Sequence, residues 1–200
     1  MTQLVMASRN QGKLVELQRI LATIAPSIDL VSVSQFPDIG DVAETGSTFE
    51  ENALLKAETI AMKTGLPAIA DDSGLCIDAL EGKPGVFSAR YAGTHGDDQA
   101  NREKVLREML DVYEENRGAQ FVSVVALALP DGRNEMCRGE IRGDICYAPR
   151  GDGGFGYDPI FVPEGLSQTM AELSAEKKDE ISHRGRALRA MAPIIAELLT

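Results

Sequence analysis

Four segments of this 200-residue chain combine residue types and spacings suited to chemistry. Ser8-Arg9-Asn10-Gln11-Gly12-Lys13 separates an apolar run from residues at helical spacing. A loop of this kind turns backbone N–H groups outward at a helix N-terminus, where anions bind. Lys13 adds a cation at the helix end whose dipole disfavours one. An ordinary N-cap at Asn10 followed by a solvated lysine explains the same residues without a ligand. No G-x-x-x-x-G-K-[ST] occurs, so the loop is not a Walker A cradle. The second candidate is the acidic set Glu44, Asp71 and Asp72. Such carboxylates suit Mg²⁺, which takes carboxylate oxygens together with water and phosphate. Asp71-Asp72-Ser73-Gly74 reads equally well as a plain turn.

The third segment, Gly151-Asp152-Gly153-Gly154-Phe155-Gly156-Tyr157-Asp158-Pro159, contains a literal G-x-G-x-x-G. A dinucleotide fingerprint must follow a strand and open a helix. Here Pro159 and the strand-like Ile160-Phe161-Val162 follow instead, so the motif is a decoy. What remains is a glycine-rich loop whose Phe155 and Tyr157 could stack on a planar ligand. The fourth is Ser182-His183-Arg184-Gly185-Arg186, preceded by Lys177 and Lys178. Ser182 is a good N-cap, yet the cationic residues after it oppose the helix dipole. A ligand with accepting or negative groups would offset that cost, as would pairing with Asp179 or Glu180. His95, in a Gly-rich loop, reads as a solvated side chain.

These segments need elements to hold them. Residues 3–7 read as a buried strand, and Leu14, Leu17, Leu21 and Ile24 as a helix closed by Pro26. Ser47-x-x-Glu50 is a capping box for a second helix with Gly65 at its end. Short strands are expected at 67–70 and 75–79, parted by the Asp-Asp-Ser-Gly turn, and a third helix from Asp98 to Asn116. Residues 120–129 form the strongest strand, turning at Pro130-Asp131-Gly132 into a half-exposed strand over 134–146. A last helix starts at Ser182, and Pro193 should kink or split it. The pattern gives an α/β fold with a mixed β-sheet and flanking helices, without strict βαβ alternation and without a linker, so residues 1–200 read as one domain.

Composition bounds the function. Twenty Lys+Arg against 31 Asp+Glu give a formal net charge of −11. Such a chain does not grip a nucleic acid polymer or an anionic membrane by its overall field, so any anion must be bound locally. No apolar run reaches membrane-spanning length, and the N-terminus lacks a secretory signal. Three cysteines without C-x-x-C spacing and two histidines argue against zinc or a disulfide framework, and point to a cytoplasmic protein.

Taken in order, the segments resemble the house-cleaning purine nucleoside triphosphate pyrophosphatases, which hydrolyse ITP, dITP and XTP. The resemblance rests on Ser8 to Lys13, Glu44-Thr45-Gly46 through Phe49, Asn52-Ala53 and Lys56. It continues through Ala70 to Leu75, Pro84-Gly85-Val86, Ser88 to Gly93, Gly153 with Phe155 to Pro159, and Ser182 to Gly185. It implies two lobes around a central substrate cleft, Mg²⁺ as cofactor, a small-molecule nucleotide substrate and a homodimer. By the same carry-over, Ser8, Arg9, Asn10, Gln11, Gly12, Lys13 and Lys56 hold the triphosphate. Glu44 and Asp72 bind Mg²⁺, and Asp72 is the water-activating base. Ser73 and Lys178 touch substrate, Phe155, Gly156, Tyr157 and Asp158 cover the base, and His183 and Arg184 read its edge. Arg9, where the family often has a small residue, and Pro193 depart from the pattern. The rivals are a related pyrophosphatase for modified pyrimidine nucleotides and a nucleotide sensor without turnover.

Overall fold

A computed structural model describes residues 2–199, apart from the side chain of Ile24. The apolar character of Ile24 expected for the first helix therefore lies outside the described residues. The described residues form one six-stranded mixed sheet in the order β2-β1-β3-β4-β5-β6 with five α-helices.

The first strand, β1 (Thr2–Met6), runs parallel to both β2 (Ile28–Ser32) and β3 (Ala68–Ile77), with Leu4 opposite Leu30 and Met6 opposite Ile69. Parallel neighbours demand crossover connections. Helix α1 (Gln11–Ile24) supplies the first and α2 (Phe49–Thr64) lies in the second. The long strands β4 (Gly118–Ala128) and β5 (Asn134–Ile145) are joined at Pro130-Asp131-Gly132, where Leu129 and Arg133 close the turn. The short β6 (Phe161–Pro163) pairs antiparallel to β5.

The chain divides into two compact units: Met1–Asp72, Ser123–Gly139 and Arg184–Thr200 in the first, Ser73–Val122 and Glu140–His183 in the second. In the first unit, Leu4, Met6, Ile69, Val125 and Leu127 bury one sheet face against α1 and α5 (His183–Leu199). Their spacing of two is the strand period, and Leu17, Ile20 and Leu21 with Leu188, Met191 and Ile195 keep the helical one. In the second unit, Val105 of α3 (Asp98–Glu108) and Met109 at its C-terminal cap join a core with Leu75, Ile77, Phe121, Ile141, Ile160 and Phe161. Arg117, 2% exposed, staples this unit by donating to the carbonyls of Met109, Val112, Ile145 and Cys146, with the Tyr147 ring 4.2 Å away.

Four expectations change, and one helix is added. Asp71-Asp72-Ser73-Gly74 is not a turn, because β3 runs unbroken through it. The cap of α2 is Thr48, one residue later than expected: its side chain accepts from the Glu51 N–H, while Glu51 accepts from the Ser47 N–H and hydroxyl. Helix α3 ends at Glu108, and only a 3₁₀ turn at Glu114–Asn116 follows, since Leu110 to Asn116 offer no continuous apolar face. A separate helix α4 (Ala175–Ile181), capped by Ser174, precedes the last helix, and α5 itself begins at His183, directly after Ser182 as expected. Helix α5 runs through Pro193 without splitting, its face held by buried Met191 and Ile195 on either side. The decoy reading of the glycine-rich loop stands: a 3₁₀ turn and β6, not a helix, follow it. His95 is exposed, and the three cysteines are free thiols. Among the described residues no helix is long and apolar enough to cross a membrane.

Candidate active site

The side chains of strand neighbours point to opposite faces of a sheet. Placing Asp71 and Asp72 within β3 therefore sends two buried carboxylates in opposite directions, to different helices of the first unit.

Asp71 shares the face of Ile69 and meets α1 and α5. Its Oδ2 lies 3.0 Å from Lys13 Nζ and accepts from Arg184 Nε at 3.2 Å. Arg184 also pairs with the buried Glu16. Burial would raise the Asp71 pKa, yet Lys13, Arg184 and Lys56 together hold the carboxyl far below its usual range. This arrangement accounts for Lys13, whose cation sits against the helix dipole. Asn10 caps α1 by accepting from the Lys13 N–H at 3.0 Å, and Asp71 supplies the negative charge at the side chain's end. Burial lowers the Lys13 pKa, with Lys56 and Arg184 adding to the effect against Asp71. Ser8 accepts from the Asn10 N–H at 3.2 Å, and Asn10 and Gln11 are exposed beside half-buried Gly12. Arg9 turns to Asp41 and the Ile39 carbonyl.

Asp72 shares the face of Ala70 and meets α2. Lys56 Nζ bonds Asp72 Oδ1 at 2.9 Å, Glu44 Oε1 at 3.1 Å and the Asp71 carbonyl at 2.8 Å. Fully buried Asn52 orients the set: its Oδ1 accepts from the Gly46 N–H at 2.8 Å while its Nδ2 donates to Asp72 Oδ2 at 3.3 Å. Gly46 is required for this approach, because a Cβ there would stand 2.6 Å from the Glu51 Cβ. Burial pushes the Asp72 carboxyl above its usual range, against the pull of Lys56 and Lys13. Burial opposes the Lys56 charge, but Asp72, Asp71 and Glu44 hold its pKa above the ordinary value. A carboxylate with raised proton affinity is better matched to taking a proton near neutral pH.

Glu44 and Asp72 thus converge on one cationic point, with the Glu44 side chain still 22% exposed. Two hard oxygen donors suit Mg²⁺, which keeps several waters and completes its shell on phosphate rather than needing an all-protein cage. Among the described residues no group of three or more acidic, histidine or cysteine side chains forms such a cage. The donor set fits a Mg²⁺ shared with a ligand.

The second unit gathers a different set. Asp158, 3% exposed, accepts from the Phe155 N–H at 2.8 Å and from Lys178 Nζ at 2.6 Å. Lys178 also lies 4.7 Å from the centroid of the half-buried Phe155 ring. Tyr157 is buried and donates its hydroxyl to the Ser88 carbonyl at 2.8 Å. Gly154 has φ +70, and a Cβ on it would fall 2.1 Å from Asp158 Oδ2, so the loop closes only over glycine. The His183 ring is buried and stacked on Phe121, centroids 4.7 Å apart. Ser73 is half-buried on β3.

The residues singled out in the sequence therefore fall into two sets. Lys13, Glu44, Lys56, Asp72 and Arg184 meet in the first unit. Phe155, Asp158 and Lys178 meet in the second. Sequence reasoning missed the parts of Asp71 and Glu16. The available signal for Asp71 was the pair of short apolar runs, Ala68-Ile69-Ala70 before it and Leu75-Cys76-Ile77 after Gly74, which fit one continuous buried strand as well as two.

The chain is similar to known proteins along nearly its whole length. A protein from Streptomyces coelicolor named dITP/XTP pyrophosphatase is 56% identical over 199 residues, covering 100% of both chains. One of the same name from Geobacter sulfurreducens is 53% identical over 188 residues, 94% of each chain. The solved structure of a HAM1 protein from Coxiella burnetii superposes with a TM-score of 0.88 at 43% identity, covering 98% of this chain and 100% of that one. The Ham1 protein structure from Staphylococcus aureus gives 0.86 at 43% identity, over 98% and 99%. The Ham1 family model matches residues 4–194, nearly the whole chain, and the chain belongs to that family.

Proposed function

We propose that the protein hydrolyses non-standard purine nucleoside triphosphates (ITP, dITP and XTP) to the nucleoside monophosphate and pyrophosphate, and so cleanses the nucleotide pool. The observation that carries this reading is the buried Asp72 carboxylate, held by Asn52 and Lys56 beside Glu44. Full-length relatives named dITP/XTP pyrophosphatase support it.

The first unit carries the phosphate chemistry. The N-terminal turn of α1, from Ser8, Arg9, Asn10, Gln11 and Gly12 to Lys13, takes the triphosphate with Lys56, by backbone donors and two ammonium groups. Glu44 and Asp72 hold Mg²⁺, which when bound neutralises phosphate charge. Asp72 accepts the proton of the attacking water. Lys13 and Lys56 offset charge developing on the departing pyrophosphate. The second unit carries the groups for the base. Phe155 to Asp158 cover it, Ser73 and Lys178 touch substrate, and His183 meets its edge; Arg184, expected beside His183, pairs instead with Asp71 and Glu16 in the first unit. A 6-oxo group accepts from an N–H donor, whereas the 6-amino group of adenine sets donor against donor. A site built around such a bond rejects the wrong partner by about 10⁴-fold. The protein works in the cytoplasm as a homodimer.

Product identity tests the reaction class. ITP with Mg²⁺ is expected to give equimolar IMP and pyrophosphate, and release of orthophosphate instead would refute the assignment. Lys13→Ala separates the phosphate set from the base set. Losing one charge-assisted contact should weaken triphosphate binding roughly tenfold or more while leaving inosine binding nearly unchanged, as read by calorimetry. Equal weakening of both would place the phosphates elsewhere.

A further inference from the structure

The loop proposed to cover the base is gripped from outside by one helix of its own unit. Asp98 Oδ2 accepts the Gly156 N–H at 2.7 Å, and Arg102 Nη1 donates to the Gly156 carbonyl at 2.8 Å. Both sit on α3, four residues apart and hence on one face. An acid four residues before an arginine ordinarily pairs with it along the helix. Here the two side chains instead take one backbone group each of a single glycine, Asp98 the N–H and Arg102 the carbonyl.

Ordinary roles leave these contacts over. Asp98 is favourably placed at a helix N-terminus, but Asp97 already caps it, accepting from the Ala100 N–H at 3.0 Å. The packing of α3 belongs to other residues, Val105 and Met109 in the core. Asn101, 1% exposed, ties the helix to the Ala92 N–H at 2.7 Å and the Ala89 carbonyl at 3.3 Å. The helix is therefore a fixed base, and Asp98 and Arg102 reach from it as two half-buried arms. With them, each residue from Phe155 to Asp158 has its own tether: Phe155 N–H to Asp158, Gly156 to α3, Tyr157 to Ser88, Asp158 to Lys178. Gly156 has φ +60, so without these bonds the peptide on either side would have several accessible states.

We propose that Asp98 and Arg102 are positioning residues that hold the Gly156 backbone, and so the Phe155 ring, in place before the purine arrives. The proposal rests on Phe155 to Asp158 being the base-covering segment. A loop ordered in advance saves binding the cost of ordering it. Loss of the grip then raises KM without touching the groups that act on phosphate.

The test compares Asp98→Ala, Asp98→Asn and Arg102→Ala with the unchanged protein. Three readouts are taken: amide hydrogen exchange of residues 155–157 without ligand, kcat and KM for ITP, and inhibition by pyrophosphate as a phosphate-only probe. Both alanine variants should exchange these amides at least tenfold faster and raise KM about tenfold, the size of a charge-assisted bond, with kcat within about twofold. Pyrophosphate inhibition should not move. Asp98→Asn, which keeps an accepting oxygen, should restore KM and protection. Unchanged exchange, unchanged KM, a parallel loss of pyrophosphate inhibition or failure of Asp98→Asn to rescue would each overturn the proposal. A native protein that turns over ITP while the variants keep its KM refutes the positioning role alone. A native protein inactive on ITP refutes the base-site reading, and the positioning role with it.

Discussion

Asp72→Asn should reduce turnover of ITP by about 10²–10⁴-fold, the usual contribution of a positioned general base. The change is nearly isosteric and keeps an oxygen for Lys56 Nζ, now 2.9 Å from Asp72 Oδ1. The ammonium also retains Glu44 and the Asp71 carbonyl as partners. The fold should therefore survive, with a melting temperature within a few degrees of the native protein. Steady-state hydrolysis beside a thermal melt checks both halves. A variant that is folded yet retains more than a tenth of native turnover would remove Asp72 from the chemistry.

Asp71→Asn should behave in the opposite way, with its main effect on stability. Its carboxylate is the shared negative partner of Lys13 and Arg184, and the Asp71 and Arg184 side chains are 4% and 3% exposed. Removing one member of a buried charge pair leaves the others uncompensated, at a cost of about 3–5 kcal/mol. For a chain of this size that corresponds to a fall of about 10 °C in melting temperature. Because Lys13 loses the group that aims it, KM for the triphosphate should rise as well. A melting temperature within about 2 °C of native would show that Asp71 does not organise the network. The contrast between neighbours on one strand is itself diagnostic: Asp72 governs rate and Asp71 governs the scaffold.

Much of this was legible before the structure. Periodicity placed α1, β4 and β5 closely, and Gly65 marked the end of α2, where its φ of +68 is one that glycine readily adopts. The acidic set and the decoy character of the glycine-rich loop were both visible as residue types in context. Local chemistry misled where tertiary packing decides. Asp-Asp-Ser-Gly has strong turn propensity, but β3 is hydrogen-bonded in the middle of the sheet and carries its acids into cationic pockets, so the strand wins. The partners of Arg184 lie 113 and 168 residues away in sequence, at Asp71 and Glu16, and no spacing rule reaches them. Asp98 and Arg102 look like an ordinary solvated helix pair until Gly156, 58 and 54 residues on, is seen between them.

Substrate choice decides the proposed function, because phosphate chemistry alone would serve any nucleotide. The direct measurement is kcat/KM of the native protein for ITP, dITP and XTP beside ATP, GTP, dTTP and UTP, with Mg²⁺ and detection of pyrophosphate. The 6-oxo purines lacking guanine's 2-amino group should exceed every standard nucleotide by about 10²-fold or more, within reach of a site that leaves the wrong base unpaired. Equal or better turnover of ATP, GTP or a pyrimidine triphosphate would contradict it.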